Sequence, residues 1–294
     1  MHKTEESFQD TWTVKMTKDL LTKADRVIDW QMSNSDLSRF ERNGFISKPN
    51  ALSPSYCITL KEEFERLFRG DFDKRSYPDE WYWREGISMP NATRHMSNAW
   101  KASFLIEELA LNPLWGKLSV FFGGWERSRL VMDTLWWKPP GAQPIAFHQD
   151  SSIFDCFTDK RSITIWITLT QTTPEMGTLE YIPGSHKWPW STPPSQFHAP
   201  KDYRAPVRKA AANLGIMNVK PHLLDLPAGS IAIHSGATWH GSGVNQSNTE
   251  ERLSIGLHYI PHDLEFNDTG DGYIYRRYQV DGQKRLFDCF FPVV

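Results

Sequence analysis

Hydrophobic and polar positions fall into two regimes along this chain. Residues 1–34 show no clear period and read as an N-terminal arm. From there the spacing turns helical. Ser35 or Asp36 is placed to cap a short helix that stops at Asn43-Gly44. "GFISKPNAL" reads as a strand entering a turn, and Ser53-Pro54 opens a helix with Leu60, Phe64 and Leu67 at helical spacing. "SFLIEELALNPLWGKLSVFFG" continues the helical texture and breaks at Asn112-Pro113. Residues 35–123 therefore predict a helical support.

After Gly124 short runs rich in β-branched and aromatic residues alternate with turn residues: "RLVMDTLWWKPP", "RSITIWITLTQTT", "GTLEYIPGS", "GSIAIHSG" and "RLSIGLHYIP". Helices first and strands later predict an α+β chain, mainly β in its core, with a double-sheet jelly roll carrying the N-terminal helices. In "SITIWITLT", Ile163, Ile165, Ile167 and Leu169 share one face and Thr164, Trp166 and Thr168 the other. The first face suits packing, the second a ligand cavity. The Pro-rich stretch 188–222 reads as an inserted loop or lid. The expected organisation is one domain over 1–294, its core at 124–262 and a C-terminal extension at 263–294.

Charge and composition narrow the function classes. Thirty-three basic and thirty-five acidic residues leave a net charge of -2, without runs of like charge, which argues against a nucleic-acid binder. No apolar run approaches a membrane span, and "MHKTEESFQDTW" lacks the apolar stretch of a secretory signal. Cys57, Cys156 and Cys289 are odd in number and far apart, which fits a reduced, cytoplasmic protein rather than a disulfide framework. Thirteen tryptophans fit either a large aromatic core or a partly aromatic pocket.

Candidate chemistry centres on "FHQD". On a strand His148 and Asp150 project together while Gln149 points away. An imidazole and a carboxylate suit Fe(II) in a 2-His-1-carboxylate site, which needs one more histidine from elsewhere. His234 and His240 both qualify. Arg252, twelve positions past His240, adds a guanidinium fork suited to a carboxylate. A different metal enzyme on the same barrel, such as a zinc or manganese hydrolase or isomerase, and a non-catalytic binding protein are the competing classes.

Taken in order, His148–Asp150, Trp166 in "ITIWITL", "IPGSHKW", and His240-Gly-Ser-Gly-Val-Asn-Gln-Ser running to Arg252, with "KPPG" at 138–141 ahead of them, resemble the phytanoyl-CoA dioxygenase family of Fe(II)/2-oxoglutarate oxygenases. The resemblance covers roughly residues 36–260. It implies that His148, Asp150 and His240 hold iron and that Arg252 binds the distal carboxylate of 2-oxoglutarate, with Ser242 beside it. Trp166 and Thr134 would line the co-substrate. Fe(II), 2-oxoglutarate and O2 are the implied cofactor and co-substrates, and the implied reaction is hydroxylation of a C–H bond with decarboxylation of 2-oxoglutarate to succinate. The carboxylate at Asp150 disfavours halogenation; desaturation, ring formation and epimerisation stay open. Gln149, Arg94 and Trp137 are expected near the substrate, with His95 as a further contact. Trp81, Trp83, Trp136 and Trp239 could wall an apolar or cationic ligand, and Arg84 or Arg127 could bind an anion. No run is basic enough for a long CoA groove, so a small specialised metabolite is the expected substrate.

Overall fold

The computed structural model describes residues 26, 27 and 30–294, so most of the expected N-terminal arm lies outside the described residues. Helix α1 (Asn34–Asn43) is capped by Ser33, not by the expected Ser35 or Asp36. The Ser33 hydroxyl accepts from the Asp36 amide at 3.2 Å while the Asp36 carboxylate accepts from the Ser33 amide at 3.1 Å. This reciprocal box satisfies two amides that the first helical turn leaves bare. Gly44 ends the helix at φ +83, a conformation that glycine adopts without strain.

The chain continues through β1 (Phe45–Lys48), α2 (Pro54–Phe68), β2 (Glu80–Trp81), β3 (Arg94–Ser97), α3 (Phe104–Ala110) and α4 (Pro113–Gly123). Ser53 caps α2 and Asn112 caps α4, each ahead of a proline whose missing amide costs the first turn nothing. Then come β4 (Ser128–Lys138), β5 (Ile145–His148), β6 (Ile163–Thr168), β7 (Leu179–Tyr181), α5 (Ala205–Asn213), β8 (His222–Leu223), β9 (Ile231–Ser235), β10 (His240–Ser242) and β11 (Arg252–Pro261).

These strands form two antiparallel sheets of a mixed, jelly-roll-like fold. The larger runs β1-β9-β6-β11-β4-β3-β2 and the smaller β5-β10-β7-β8. Three strands of the larger sheet precede residue 124, so the support segment also builds sheet. The alternation in β6 has its anticipated effect. Ile163, Ile165 and Ile167 join Ile255 and Leu257 of β11 in a core shared with Leu60, Phe64 and Leu67 of α2 and Leu118 of α4. Truncating Phe64, fully buried there, to alanine would cost about 3–5 kcal/mol. The opposite face of the sheet is left for the interior of the sandwich.

The C-terminal segment packs Phe266, Tyr275 and Phe291 against Val131 and Met132 of β4 and Phe154. The 188–222 stretch is more structured than a loop: it contains α5, and His198 bridges to Ile145 of β5. Among the described residues no helix is long and apolar enough to cross a membrane.

Candidate active site

Strand β5 ends on His148, and a 3-10 turn over Asp150–Ile153 carries the chain away from the sheet. His240 opens β10 directly opposite His148 in the antiparallel ladder. Asp150 Oδ1 lies 3.3 Å from His148 Nε2 and 3.4 Å from His240 Nε2. The other nitrogen of each ring bonds a main-chain oxygen: His148 Nδ1 to Ala146 O at 2.8 Å and His240 Nδ1 to Thr238 O at 2.9 Å. A carbonyl can only accept, so in each neutral ring Nδ1 carries the proton and Nε2 offers its lone pair. Two such lone pairs and a carboxylate oxygen converge, which is the donor set of a 2-His-1-carboxylate metal site.

The second oxygen of Asp150 is occupied. Oδ2 accepts from Thr164 Oγ1 at 2.6 Å and from His234 Nε2 at 3.0 Å, and His234 Nδ1 in turn accepts from the Tyr181 hydroxyl at 2.9 Å. Burial works against the Asp150 charge, but the fields of His240 and His258 and the contacts with His148 and His234 outweigh it and hold the carboxyl well below its ordinary value. Burial also lowers His148, whereas the field of Asp150 overcomes burial at His240 and raises it. His234, the alternative third histidine, has both ring nitrogens engaged and orients Asp150 instead.

Across the cavity, Arg252 of β11 is fully enclosed. One guanidinium nitrogen donates to Gly177 O at 2.9 Å, and its Nε has no partner among the described residues. Burial pulls it down to about 9. Beside it in the ladder stands Lys138 of β4, buried as well and pushed far below its ordinary value by desolvation and by the Arg252 charge. Lys138 Nζ donates to Ser242 Oγ at 2.9 Å and to Gly243 O. The Ser242 oxygen is thereby used as an acceptor, and its own proton is free to donate. A buried guanidinium with an unsatisfied Nε, beside a lysine whose own charge is suppressed, makes a site that favours an anion. The same cavity, about 540 Å³, is lined by the three converging side chains and by Thr134, Trp166, Ser242, Arg252 and His258.

The profile of the phytanoyl-CoA dioxygenase (PhyH) family matches residues 40–253, well over half of the chain. The chain belongs to the PhyH family. It is 26% identical over 166 residues to a probable alpha-ketoglutarate-dependent hypophosphite dioxygenase of Stutzerimonas stutzeri, across 55% of this chain and 56% of that protein. It is 32% identical over 127 residues to dioxygenase af480 of Aspergillus fumigatus, across 42% of this chain and 35% of that protein. The chain thus spans little more than half of the first relative's length and about a third of the second's. Among solved structures, the epimerase SnoN in complex with Fe3+, alpha ketoglutarate and nogalamycin RO aligns with a TM-score of 0.68 at 22% identity, over 88% of this chain and 97% of that one. The alpha ketoglutarate dependent carbocyclase SnoK aligns at 0.67 and 19%, over 90% and 96%. At these identities the likeness is one of fold.

Within this PhyH chain three expected substrate contacts face elsewhere. Gln149 is buried behind the site, donating to Ala237 O and accepting from the Ser191 amide, both at 2.8 Å. Trp137 and Arg94 lie opposite one another in the β3–β4 ladder. Arg94 is held between the Trp83 and Trp137 rings, and Trp137 donates to Glu251, so neither lines the cavity. Strand parity explains both corrections. The alternation that turns Thr134 into the cavity turns Trp136 in as well and Trp137 out; across the ladder it selects His95 over Arg94. His258 was given no role by the sequence, yet its Nδ1 lies 3.0 Å from Thr164 Oγ1 and its Nε2 3.4 Å from Thr134 Oγ1, linking Thr134 through Thr164 to Asp150. Its spacing of two from Gly256 and of six from Arg252, which puts all three on one face of a strand, was the available signal.

Proposed function

We propose that the chain is an Fe(II)- and 2-oxoglutarate-dependent dioxygenase that hydroxylates an unactivated C–H bond of a small molecule. The observation that carries this reading is the convergence of His148 Nε2, Asp150 Oδ1 and His240 Nε2 on one cavity that also holds the unsatisfied Arg252 guanidinium. Fe(II), bound at those three atoms together with 2-oxoglutarate and O2, supplies oxidation of a C–H bond coupled to loss of CO2 and formation of succinate.

The protein's part is binding and orientation. His148 and His240 are fixed in the Nδ1–H tautomer by main-chain carbonyls, and Thr164 and His234 hold Asp150 so that one oxygen faces the histidines. Arg252 receives the distal carboxylate of 2-oxoglutarate, the Ser242 hydroxyl donates to it, and Lys138 aims Ser242 from behind. Trp166, whose ring lies 5.8 Å from the Arg252 guanidinium carbon, and Thr134 flank the co-substrate. Whether hydroxylation, desaturation, ring closure or epimerisation results depends on which C–H the cavity presents. The three free cysteines fit action in the cytoplasm.

Anaerobic titration of the Fe(II)-loaded protein with 2-oxoglutarate tests the reading. A visible metal-to-ligand charge-transfer band is expected, absent in His148→Ala and Asp150→Ala. Arg252→Ala should keep the band but weaken 2-oxoglutarate binding about 30-fold or more, the scale of a lost buried charge pair. A folded, iron-loaded protein without a band would overturn the assignment.

A further inference from the structure

The outer part of the cavity has a chemistry of its own, distinct from its cationic floor. Trp136 of β4 stacks on His95 of β3 with ring centres 4.0 Å apart and planes 16° from parallel. His95 stacks in turn on Tyr82, 5.6 Å away and within 3° of parallel. From a separate segment, Phe197 packs edge-on to His148 at 4.8 Å, and His198 lies 5.7–5.9 Å from the Tyr82, His95 and Trp136 rings. All five line the cavity. Aromatic rings from four stretches of the chain thus lead from the surface to His148.

This wall is built, not incidental. Glu80 accepts from the Tyr82 hydroxyl at 2.7 Å, from Ser97 at 2.7 Å and from Tyr273 at 2.5 Å. Ser97 gives its proton to Glu80, so His95 Nε2, 3.3 Å from the Ser97 oxygen, is the donor of that contact. Tyr273 is held at φ +44, an unfavourable conformation for a bulky residue, and half of it stays exposed at the mouth. One carboxylate therefore fixes three of the side chains that shape the entrance.

Among the described residues, the charged side chains that line the cavity outside the metal-ligand set and the Arg252 floor are acidic. Asp155, whose Oδ1 already accepts from the Gly272 amide at 3.1 Å and whose Oδ2 remains as an acceptor, and the exposed Asp271 line the cavity, while Arg84, Arg94 and Arg127 do not. Arg84 lies over Trp81 and donates to the Trp81 and Trp83 carbonyls. Arg276, on the neighbouring C-terminal segment, donates to the Asn267, Thr269 and Gly270 carbonyls and is outside the lining. Burial keeps His95 and His198 uncharged at neutral pH. An anionic substrate, above all one bearing the phosphates of coenzyme A, would meet two carboxylates and, among the described residues, no compensating cation on its way in.

We propose that the substrate is a planar, ring-bearing molecule without phosphate or carboxylate, neutral or cationic, bound against the Trp136–His95–Tyr82 stack with its hydrogen-bond donors toward Asp155 and Asp271. The inference rests on the oxygenase reading for what happens to that molecule, but the recognition it describes is measurable alone. Rings give stacking and cation–π attraction there, and a donor group gains two acceptors.

Three fluorescent tricyclic probes and coenzyme A test it on the full chain, loaded with Ni(II) and with saturating 2-oxoglutarate so that Arg252 is occupied. 9-Aminoacridine (a planar cation) and acridone (planar and neutral) should bind about tenfold or more tighter than acridine-9-carboxylate, and coenzyme A should displace neither. Trp136→Ala should weaken both favoured probes about fivefold or more; Tyr82→Ala, at a residue 53% exposed, should do the same without threatening the fold. The double variant Asp155→Asn/Asp271→Asn should weaken 9-aminoacridine, which loses both charge attraction and hydrogen bonding, by several-fold more than acridone. Equal binding of the anionic probe or of coenzyme A, or indifference to both aromatic variants, would overturn the proposal. The Fe(II)/2-oxoglutarate band of the wild-type protein, recorded in parallel, separates the two readings. A band without probe preference removes the substrate class alone, and probe preference without a band removes the oxygenase reading.

Discussion

His95 illustrates how a single buried side chain couples recognition to stability. Burial lowers its pKa well below the ordinary 6.5, with His198 and His258 adding to the effect. In the unfolded chain the ring takes up its proton first as pH falls, so the folded state loses stability below about pH 6.5 and regains it above, at about 1.4 kcal/mol per pH unit for each proton. His198 and His234 are shifted in the same direction by burial, so His95→Phe should remove part of the acid sensitivity and keep the stack. Urea midpoints at about pH 7 and about pH 5 measure this; an unchanged difference would mean that His95 is charged in the fold. Gln149 makes the complementary case. Gln149→Ala strands the Ala237 carbonyl and the Ser191 amide, at a cost of about 1–3 kcal/mol. Hydrogen exchange at Ser191 should accelerate, because that bond ties the 188–222 stretch to the strand bearing His148.

At the scale of elements, β11 shows how little room the strands leave. A Cβ built on Gly256 would lie 2.7 Å from Thr134 Oγ1 and 3.2 Å from His258 Nε2. Both atoms belong to the chain of hydrogen bonds ending on Asp150, so Gly256→Ala should cost about 1–3 kcal/mol and weaken 2-oxoglutarate binding as well. Thermal melting and the charge-transfer titration read the two effects separately. Existence and type were legible for such elements: β6 declared both of its faces through Ile-Thr-Ile-Trp-Ile-Thr, Ser53-Pro54 marked a helix start, and Asn112-Pro113 marked the break that separates α3 from α4. Parity in β4 was harder, since Trp136 and Trp137 are equally aromatic and only Thr134 fixes which one turns inward. Helix α5 was hidden because its Pro206 sits among the loop-like prolines of "WPWSTPP" and "HAP", although a proline in the first helical turn is no obstacle. His234 and His258 could not be assigned from the chain alone, for their roles depend on a carboxylate brought 84 positions away in the first case and on cross-strand threonines in the second.

For the molecule as a whole, the two halves of the site stand on different sheets. His148 and His240 belong to the β5-β10 edge of the smaller sheet, whereas Arg252 and Lys138 pair within the larger one. A metal held by the first pair and a dicarboxylate reaching from it to Arg252 would cross-link the sandwich, so binding should stabilise the entire fold rather than the site alone. Ligand at about 100 times its Kd adds about 2.7 kcal/mol, which for a chain of this size amounts to a rise in Tm of roughly 5 °C. Melting with Ni(II), then with Ni(II) and 2-oxoglutarate, and after chelation should show two additive increments that chelation removes together. His240→Ala should lose both; Arg252→Ala should keep the metal's increment and lose that of 2-oxoglutarate. Slowed amide exchange confined to β5 and β10 in the wild-type complex would contradict the cross-link, because a dicarboxylate that engages Arg252 must also quiet β4 and β11.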